Sequence, residues 1–213
     1  MKTERSDEML FELWAGGDRG AGKTLFERHF DSVHRFLRTK VGSGLEDLVQ
    51  QVFLGCIEGR DRYQAKSTFR AYLFGIVRFQ LFNHYRAARK DARLDFSVGS
   101  LASLGTTPSA GLARNAEEFL LHEALGQLPL DQQIVLELLY WENLSGGEVA
   151  DVLEVSLDTV YGRARRAKSR LGDLLQELRA ERSLTVANES SVRRGCACRV
   201  RPDLDKEAPV AGE

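Results

Sequence analysis

Few features of a secreted, membrane or disulfide-bonded protein are present in this sequence. It contains 3 cysteines and 4 prolines among 213 residues, and so few cysteines cannot form a disulfide framework. No apolar run approaches the roughly 18 residues that a membrane helix needs, and the N-terminus, MKTERSDEML, lacks the apolar core of a signal peptide. We therefore expect a cytoplasmic protein without membrane insertion.

Groups that could carry catalysis are equally scarce. The histidines at positions 29, 34, 84 and 122 are scattered and lack the spacing of metal ligands. No Ser/His/Asp set and no pair of carboxylates stands at a spacing that suggests shared chemistry. The sequence therefore predicts a protein that is not an enzyme and that needs no cofactor.

The charge is balanced overall but unevenly distributed. The formal net charge is −1, so the whole chain shows no bias toward nucleic acid. Basic residues nevertheless concentrate in two places: a middle cluster (Arg78, Arg86, Arg89, Lys90 and Arg93) and the segment 163–170. Localised positive patches on a neutral background suit selective contact with DNA.

The hydrophobic pattern predicts an all-α protein. Apolar residues recur with helical spacing from Asp7 to about Lys90 and again from about Ala116, and strand-like alternation is absent. Residues 94–115 are rich in Ser, Gly and Thr, which is typical of a flexible linker. We therefore predict two small helical domains, at 1–93 and 116–179, followed by a disordered tail at 180–213.

The segment 145–171 has the pattern of a helix-turn-helix. Ser145 with Glu148 forms a capping box at the start of a short helix, and Ser156 is a second N-cap. After Ser156, one apolar stripe repeats along the helix, while the other faces are polar and mainly basic. The stripe consists of Val160, Ala164, Ala167 and Leu171. The pattern predicts a recognition helix for a major groove, although a solvated surface helix at the corner of a bundle has the same periodicity.

Two further signals indicate other functions. Residues 17–24 match G-x-x-x-x-G-K-T, the phosphate-binding loop of nucleotide hydrolases, but no buried strand precedes them. A Gly-rich connection between two helices is the alternative. The Cys196 and Cys198 pair could bind a soft ion such as Cu(I) or Zn(II), yet two thiolates are an incomplete zinc site. An inert tail and a metal- or redox-responsive tail both remain open.

Several motifs, in their proper order, resemble those of the extracytoplasmic-function (ECF) group of bacterial sigma-70 factors, the promoter-recognition subunits of RNA polymerase. Residues 46–54, EDLVQQVFL, are similar to the family's E-D-L-x-Q-E-x-F-L helix. Residues 69–78, FRAYLFGIVR, resemble its F-x-x-W-L-x-x-I-A-R segment. Leu128-Pro129 and residues 144–170 resemble the domain that carries the family's helix-turn-helix.

The resemblance implies three contact surfaces. Core polymerase, through its β′ clamp helices, is expected to bind Asp47, Leu48, Gln50, Gln51, Phe53 and Leu54. The melted −10 strand is expected to contact Phe69, Arg70, Tyr72, Arg78, Asn83, Arg86, Arg89 and Lys90. The −35 duplex is expected to contact Ser156, Thr159, Tyr161, Gly162, Arg163, Arg165, Arg166 and Arg170. The polymerase β flap is a further expected partner, and the resemblance leaves open an anti-sigma factor.

The physical chemistry of these segments fits such roles. Holding a melted strand requires rings for base stacking beside cations for the backbone, and the helix predicted from Ser67 to Lys90 contains both. Arg165 or Arg166 could pair with a guanine edge in the major groove. A stand-alone helix-turn-helix regulator that acts without polymerase is the second hypothesis.

The sequence departs from the family pattern at several positions. Glu154 stands where a turn glycine is usual, which predicts a strained or altered turn. Tyr161 and Gly162 replace a frequent basic residue and a frequent Ser, and Phe79 replaces a frequent Asn. Gln51 replaces a frequent Glu and removes a charge from the expected polymerase-binding helix. The promoter sequence therefore does not follow from the resemblance.

Overall fold

The computed structural model describes residues 5–60, 63, 67–88 and 116–197, with side chains up to residue 183 except that of Ala88. These residues form eight α-helices and no strand, which confirms the predicted all-α class. The helices are α1 (Asp7–Ala15), α2 (Arg19–Arg38), α3 (Leu45–Gly59), α4 (Phe69–Ala88), α5 (Ala116–Gly126), α6 (Leu130–Tyr140), α7 (Gly146–Leu153) and α8 (Leu157–Ala197). None of the helices described is both long and apolar enough to cross a membrane.

Helices α1 to α4, which we call the N-terminal half, pack around a core rich in aromatic rings. Phe11 of α1 lies edge-on to Trp14, with ring centroids 5.5 Å apart, and 5.7 Å from Phe69 of α4. Phe26 of α2 joins this network through Trp14 and Phe53, at 5.1 Å from each. Because the rings come from all four helices, they hold α3 and α4 in place for the contact surfaces that these helices carry.

The candidate phosphate-binding loop is part of a helix. α1 precedes the segment 17–24, and α2 begins inside it, capped by the Asp18 carboxylate, which accepts hydrogen bonds from the amides of Gly20 (2.8 Å) and Ala21 (3.1 Å). A Cβ placed on Gly22 would lie 2.4 Å from the Trp14 ring. Gly22 therefore permits close helix packing, and the nucleotide-binding alternative lacks the strand and loop that it requires. The connection between α1 and α2 is also shorter than predicted.

Helices α5 to α7 and the part of α8 up to Leu175, which we call the C-terminal half, pack mainly through aliphatic side chains. Leu125, Leu128, Ile134 and Val149 are buried in this half. Pro129 precedes α6 at the predicted break between two helices, consistent with its fixed φ and missing amide proton.

The two halves pack directly on each other. One contiguous cluster of buried apolar residues runs from Leu10 of α1 to Ala164 of α8, and α4 packs along α7. Residues up to Leu175 form one compact unit, and the residues from Gln176 onward form a second. The predicted linker at 94–115 lies outside the described residues. α8 continues to Ala197, beyond the predicted start of the tail at residue 180, and residues 198–213 are not described.

Candidate nucleic-acid and protein interfaces

The helix-turn-helix forms as its capping residues predict. The Ser145 hydroxyl accepts a hydrogen bond from the Glu148 amide (3.3 Å), and the Ser145 amide donates to the Glu148 carboxylate (2.7 Å), which completes the capping box. α7 ends at Leu153, and its C-cap Glu154 is a left-handed residue with φ 55° and ψ 43°. Ser156 then caps α8 by accepting from the Thr159 amide at 3.2 Å. Glu154 thus keeps the left-handed conformation that glycine usually adopts here, which fits the predicted strained turn and not an altered one.

The first turns of α8 present a polar face to solvent. Val160, Ala164 and Ala167 are buried as predicted, whereas Leu171, the last residue of the predicted stripe, is only half-buried. The expected −35 residues lie on the other faces of the helix. Ser156, Tyr161, Arg165, Arg166 and Arg170 are exposed, and Thr159, Gly162 and Arg163 are half-buried.

Two contacts fix the geometry of this face, and neither is visible in the sequence pattern. The Nε of Arg163 lies 3.3 Å from a carboxylate oxygen of Asp131, so this arginine ties α8 to α6. Tyr161, although 55% exposed, lies against the first residue of α7. A Cβ on Gly146 would stand 2.5 Å from the Tyr161 hydroxyl oxygen. Gly146 therefore sets the position of a ring that the resemblance places at the DNA.

Helix α4 divides its expected −10 residues between the core and the surface. Phe69 is fully buried, whereas Phe79 is 58% exposed. Arg70, Tyr72, Arg78 and Asn83 are half-buried, Arg86 is exposed, and Arg89 and Lys90 lie outside the described residues. The Arg78 guanidinium carbon stands 4.9 Å from the centroid of the Phe82 ring. Fewer side chains of α4 are therefore accessible to a melted strand than the resemblance implies.

Acidic residues of the C-terminal half face this side of α4. The Arg70 guanidinium donates to the Glu142 carboxylate at 2.6 Å. The hydroxyl of Thr68, which caps α4, donates to Glu148. Burial opposes ionisation of Glu148, but hydrogen bonds from Thr68 and Ser145 keep its pKa below the usual value. Sequence reasoning missed these contacts because they join residues far apart in the chain.

A third surface lies on α3. Asp47, Gln50, Gln51 and Leu54 are exposed and Phe53 is half-buried, whereas Leu48 is buried in the core. Beside them, α2 and α3 enclose an open apolar groove of about 500 Å³. Its walls are formed by Phe26, Glu27, Phe30, Glu46, Val49, Gln50, Phe53, Leu54 and Ile57. Large apolar side chains that are nearly half exposed, such as Leu54 and Ile57 at 47% each, favour a protein partner at this groove.

The described residues contain no group of three or more potential metal ligands. Cys56 is a buried free thiol, and burial raises its pKa to about 12, so it is unsuited to redox or metal chemistry near neutral pH. Cys196 lies near the end of α8 without a described side chain, and Cys198 lies outside the described residues. Metal or redox responsiveness of the tail stays a hypothesis.

Comparison with known proteins gives two matches to family models: Sigma-70 region 2 at residues 25–91, and Sigma-70, region 4 at residues 118–171. The chain is 31% identical to the RNA polymerase sigma factor CarQ of Myxococcus xanthus, covering 80% of this chain and 98% of CarQ. It is 26% identical to the ECF RNA polymerase sigma factor SigM of Mycobacterium tuberculosis, covering 82% and 87%. The solved structure of CnrH in complex with the cytosolic domain of CnrY superposes with a TM-score of 0.60 at 26% identity, covering 81% of this chain and 99% of CnrH.

Proposed function

The chain belongs to the ECF group of sigma-70 RNA polymerase sigma factors, and we propose that it recognises promoters through three separate surfaces. These are the groove beside α3 for core polymerase, the exposed part of α4 for the melted −10 strand, and the first turns of α8 for the −35 duplex. Sigma factors are not a class of enzyme, and we propose no catalytic role. Acting with polymerase would place the protein in the cytoplasm.

The first turns of α8 carry the proposal most directly. Tyr161, Arg165 and Arg166 are exposed on a capped helix at the end of a helix-turn-helix. Arginine can pair with the O6 and N7 atoms of guanine in the major groove, a contact that discriminates by roughly 1 to 3 kcal/mol. Arg170, further along the helix, is suited to a phosphate. Arg163 is bound to Asp131 and positions this face of α8. We assign it at most a peripheral contact with the DNA.

On α4, the exposed ring of Phe79 and the nearby Arg86 are the best candidates for a melted strand. Stacking of a base on an aromatic ring contributes roughly 1 to 3 kcal/mol, and a cation beside it holds the backbone. The buried ring of Phe69 has no such access. We therefore propose that Phe69 positions α4 by packing and that contact with the strand falls to Phe79, Arg86 and the half-buried Tyr72 and Arg78.

On α3, the exposed Asp47, Gln50, Gln51 and Leu54 border the apolar groove that Phe53 lines. An apolar centre with a polar rim is the usual composition of a protein interface. We propose that the β′ clamp helices of polymerase dock here, and that the C-terminal half contacts the β flap. CnrH binds the cytosolic domain of CnrY, which supports adding a restraining protein, an anti-sigma factor, to the proposed partners.

Binding to purified core polymerase tests the proposal. Asp47→Lys should weaken capture of the chain by core enzyme, because it reverses a charge at the rim of the proposed interface. Glu12→Lys is the matched control, since Glu12 is an exposed acid on α1 that does not line the groove. Equal capture of both variants and the parent would contradict docking at α3. Failure of core enzyme to bind the parent would favour a stand-alone regulator.

Run-off transcription on a library of DNA fragments with core enzyme then identifies the promoter. Arg165→Gln should reduce transcription from the selected promoter, and changes of the −35 sequence should have less effect in this variant than in the parent. Phe79→Ala should reduce transcription without altering the preference for the −35 sequence. If both variants showed the same change in −35 preference, the assignment of separate surfaces would be wrong.

A further inference from the structure

Two apolar side chains form a patch at the start of α8, within the surface that the proposed function assigns to the −35 duplex. Leu157 is the first residue of α8, and Tyr161 follows one turn later. They are 45% and 55% exposed. Because they are four residues apart in a helix, their side chains lie on the same face. Leu157 is absent from the residues that the resemblance assigns to DNA.

The backbone of α7 fixes the position of this Leu157–Tyr161 patch. A Cβ placed on Gly146 would lie 2.5 Å from the Tyr161 hydroxyl oxygen and 3.0 Å from Cδ1 of Leu157. Both side chains therefore pack over Gly146, where only a residue without a side chain leaves room for them. The next residue, Gly147, has nothing within 4 Å of its Cβ position. The patch thus belongs to α8 but rests on the first residue of α7.

Polar side chains surround the patch. Arg165, one turn beyond Tyr161, is exposed, and the hydroxyl groups of Ser156 and Thr159 lie 2.8 Å apart at the start of the helix. Four residues of an α-helix rise about 6 Å, which is roughly the height of two base pairs. With α8 in a major groove, Leu157, Tyr161 and Arg165 would therefore face successive base pairs.

Thymine carries the one methyl group that unmodified DNA presents in the major groove. An apolar patch is stabilised by covering that methyl group. Against the hydrogen-bonding edges of the other bases, the same patch would remove water without replacing its hydrogen bonds, which is unfavourable. The chemistry of the patch therefore favours thymine, as the chemistry of Arg165 favours guanine.

We propose that Leu157 and Tyr161 read the 5-methyl group of thymine in the −35 element, and that Gly146 positions them for this contact. The inference rests on the function proposed for α8. It adds Leu157 to the residues that read the promoter. It also gives the target an order, with thymine, on either strand, opposite the start of α8 and guanine further along at Arg165.

Removing single methyl groups from the DNA tests the inference without altering the protein. Holoenzyme, assembled from the full chain and core polymerase, is bound to the labelled promoter selected by run-off transcription, and fluorescence anisotropy measures the affinity. Each thymine of the −35 element, on either strand, is replaced in turn by deoxyuridine, which lacks only the methyl group. At least one replacement should weaken binding about fourfold, the effect expected for one buried methyl group. Deoxyuridine between the −35 and −10 elements is the control and should have no effect.

Leu157→Ala and Tyr161→Ala connect the effect to the patch. Each should weaken binding to the unmodified promoter by about threefold or more. Each should also remove most of the loss caused by deoxyuridine, because the methyl group no longer has its apolar partner. Leu13→Ala, at an exposed leucine of α1, is the matched control. It should keep both the parental affinity and the parental loss with deoxyuridine.

Gly146→Ala tests the positioning of the patch. The new methyl group would displace the ring of Tyr161, which can turn away without disturbing the core because it is largely exposed. The fold should therefore persist in circular dichroism, while most of the loss with deoxyuridine disappears. Gly147→Ala is the matched control on the same helix and should keep the parental loss. A merely structural role for Gly146 would weaken binding to the modified and unmodified promoters alike.

Two outcomes would overturn the inference: no loss of affinity at any thymine of the −35 element in the parent, or a loss that persists undiminished in both Leu157→Ala and Tyr161→Ala. The second result would mean that other residues contact the methyl group. In either case, run-off transcription that still depends on the −35 sequence would leave the proposed function standing. Transcription independent of that sequence would contradict the function proposed for α8, and the inference with it.

Discussion

The two halves of the molecule use aromatic residues in opposite ways. In the N-terminal half, rings from different helices contact one another inside the core, and Phe11, Trp14 and Phe69 are all buried. In the C-terminal half, Tyr140, Trp141 and Tyr161 are 51%, 39% and 55% exposed, while aliphatic residues fill the interior. An aromatic residue in a sequence motif therefore usually indicates core packing in the N-terminal half and an exposed side chain in the C-terminal half. Most rings of the N-terminal half hold its core together, with Phe30 and Phe79 as exposed exceptions, whereas these three rings of the C-terminal half are available to ligands.

The largest effect expected from this comparison is at Phe69. Phe69→Ala should lower the free energy of unfolding by roughly 3 to 5 kcal/mol, because it removes a fully buried ring. Tyr161→Ala should change that free energy by less than about 0.5 kcal/mol, because its ring is largely exposed. Urea denaturation followed by circular dichroism measures both. A Phe69→Ala variant with parental stability would contradict the packing role assigned to this ring.

Gly22 in the N-terminal half and Gly172 in the C-terminal half differ in how closely other residues pack against them. Gly22→Ala should destabilise the protein by about 1 to 3 kcal/mol, because the new methyl group would collide with the Trp14 ring, which other rings hold in place. Gly172→Ala on α8 should instead stabilise by up to about 1 kcal/mol, since nothing lies within 4 Å of its Cβ position and alanine favours a helix. The midpoints of urea unfolding should move in opposite directions. A shift of both in one direction would contradict the packing assigned to these two glycines.

The halves also differ in the residue types that adopt a left-handed backbone conformation. Among the described residues, positive φ angles occur at Gly17 and Gly44 in the N-terminal half, but at Asn143 and Glu154 in the C-terminal half. Glu154→Gly should relieve a left-handed conformation and stabilise the protein by up to roughly 1 kcal/mol. Gly44→Ala should destabilise by a similar amount. The thermal unfolding midpoint measures both changes, and no gain from Glu154→Gly would mean that its side chain compensates for the conformation.

Much of the local structure could be predicted because its causes lie within a few residues. The capping box at Ser145, the N-cap at Ser156 and the strained turn at Glu154 all follow from hydrogen bonds and backbone conformations within a few residues. The predicted start of α4 at Ser67 differs by two residues from its observed start at Phe69, since helical periodicity locates the centre of a helix better than its ends.

The tertiary arrangement could not be predicted in the same way. No local rule indicates that Lys40 would be buried against Glu137 or that Glu142 would bind Arg70, because these contacts depend on how the halves meet. Helix α4 is apolar on several faces, so its periodicity does not separate the buried Phe69 from the exposed Phe79. The resemblance identified α4 as a candidate DNA surface, but only the packing shows which part of it strands can reach.

Acid titration should affect the two halves in different pH ranges and should change stability less than any of these substitutions. His29 is buried beside Asp7, with its Nε2 atom 2.7 Å from the carboxylate, and burial lowers its pKa below 6.5 although Asp7 opposes the shift. The unfolded chain therefore takes up this proton first. The contribution of neutral His29 to the free energy of unfolding is therefore complete above pH 6.5. It decreases as the pH drops toward the pKa of His29 in the folded state. His29→Gln should flatten this part of the urea-unfolding profile.

In the C-terminal half, the corresponding group is the capping carboxylate of Glu148. Its pKa is held below 4.5, so its contribution is present above pH 4.5 and is lost only as the pH falls through the folded value. Glu148→Gln should therefore leave the slope just below pH 6.5 intact and reduce the slope below pH 4.5. If His29→Gln left the upper slope unchanged, that titration would have to come from another group. A lost lower slope in His29→Gln would instead show that the titrations of His29 and Glu148 are coupled.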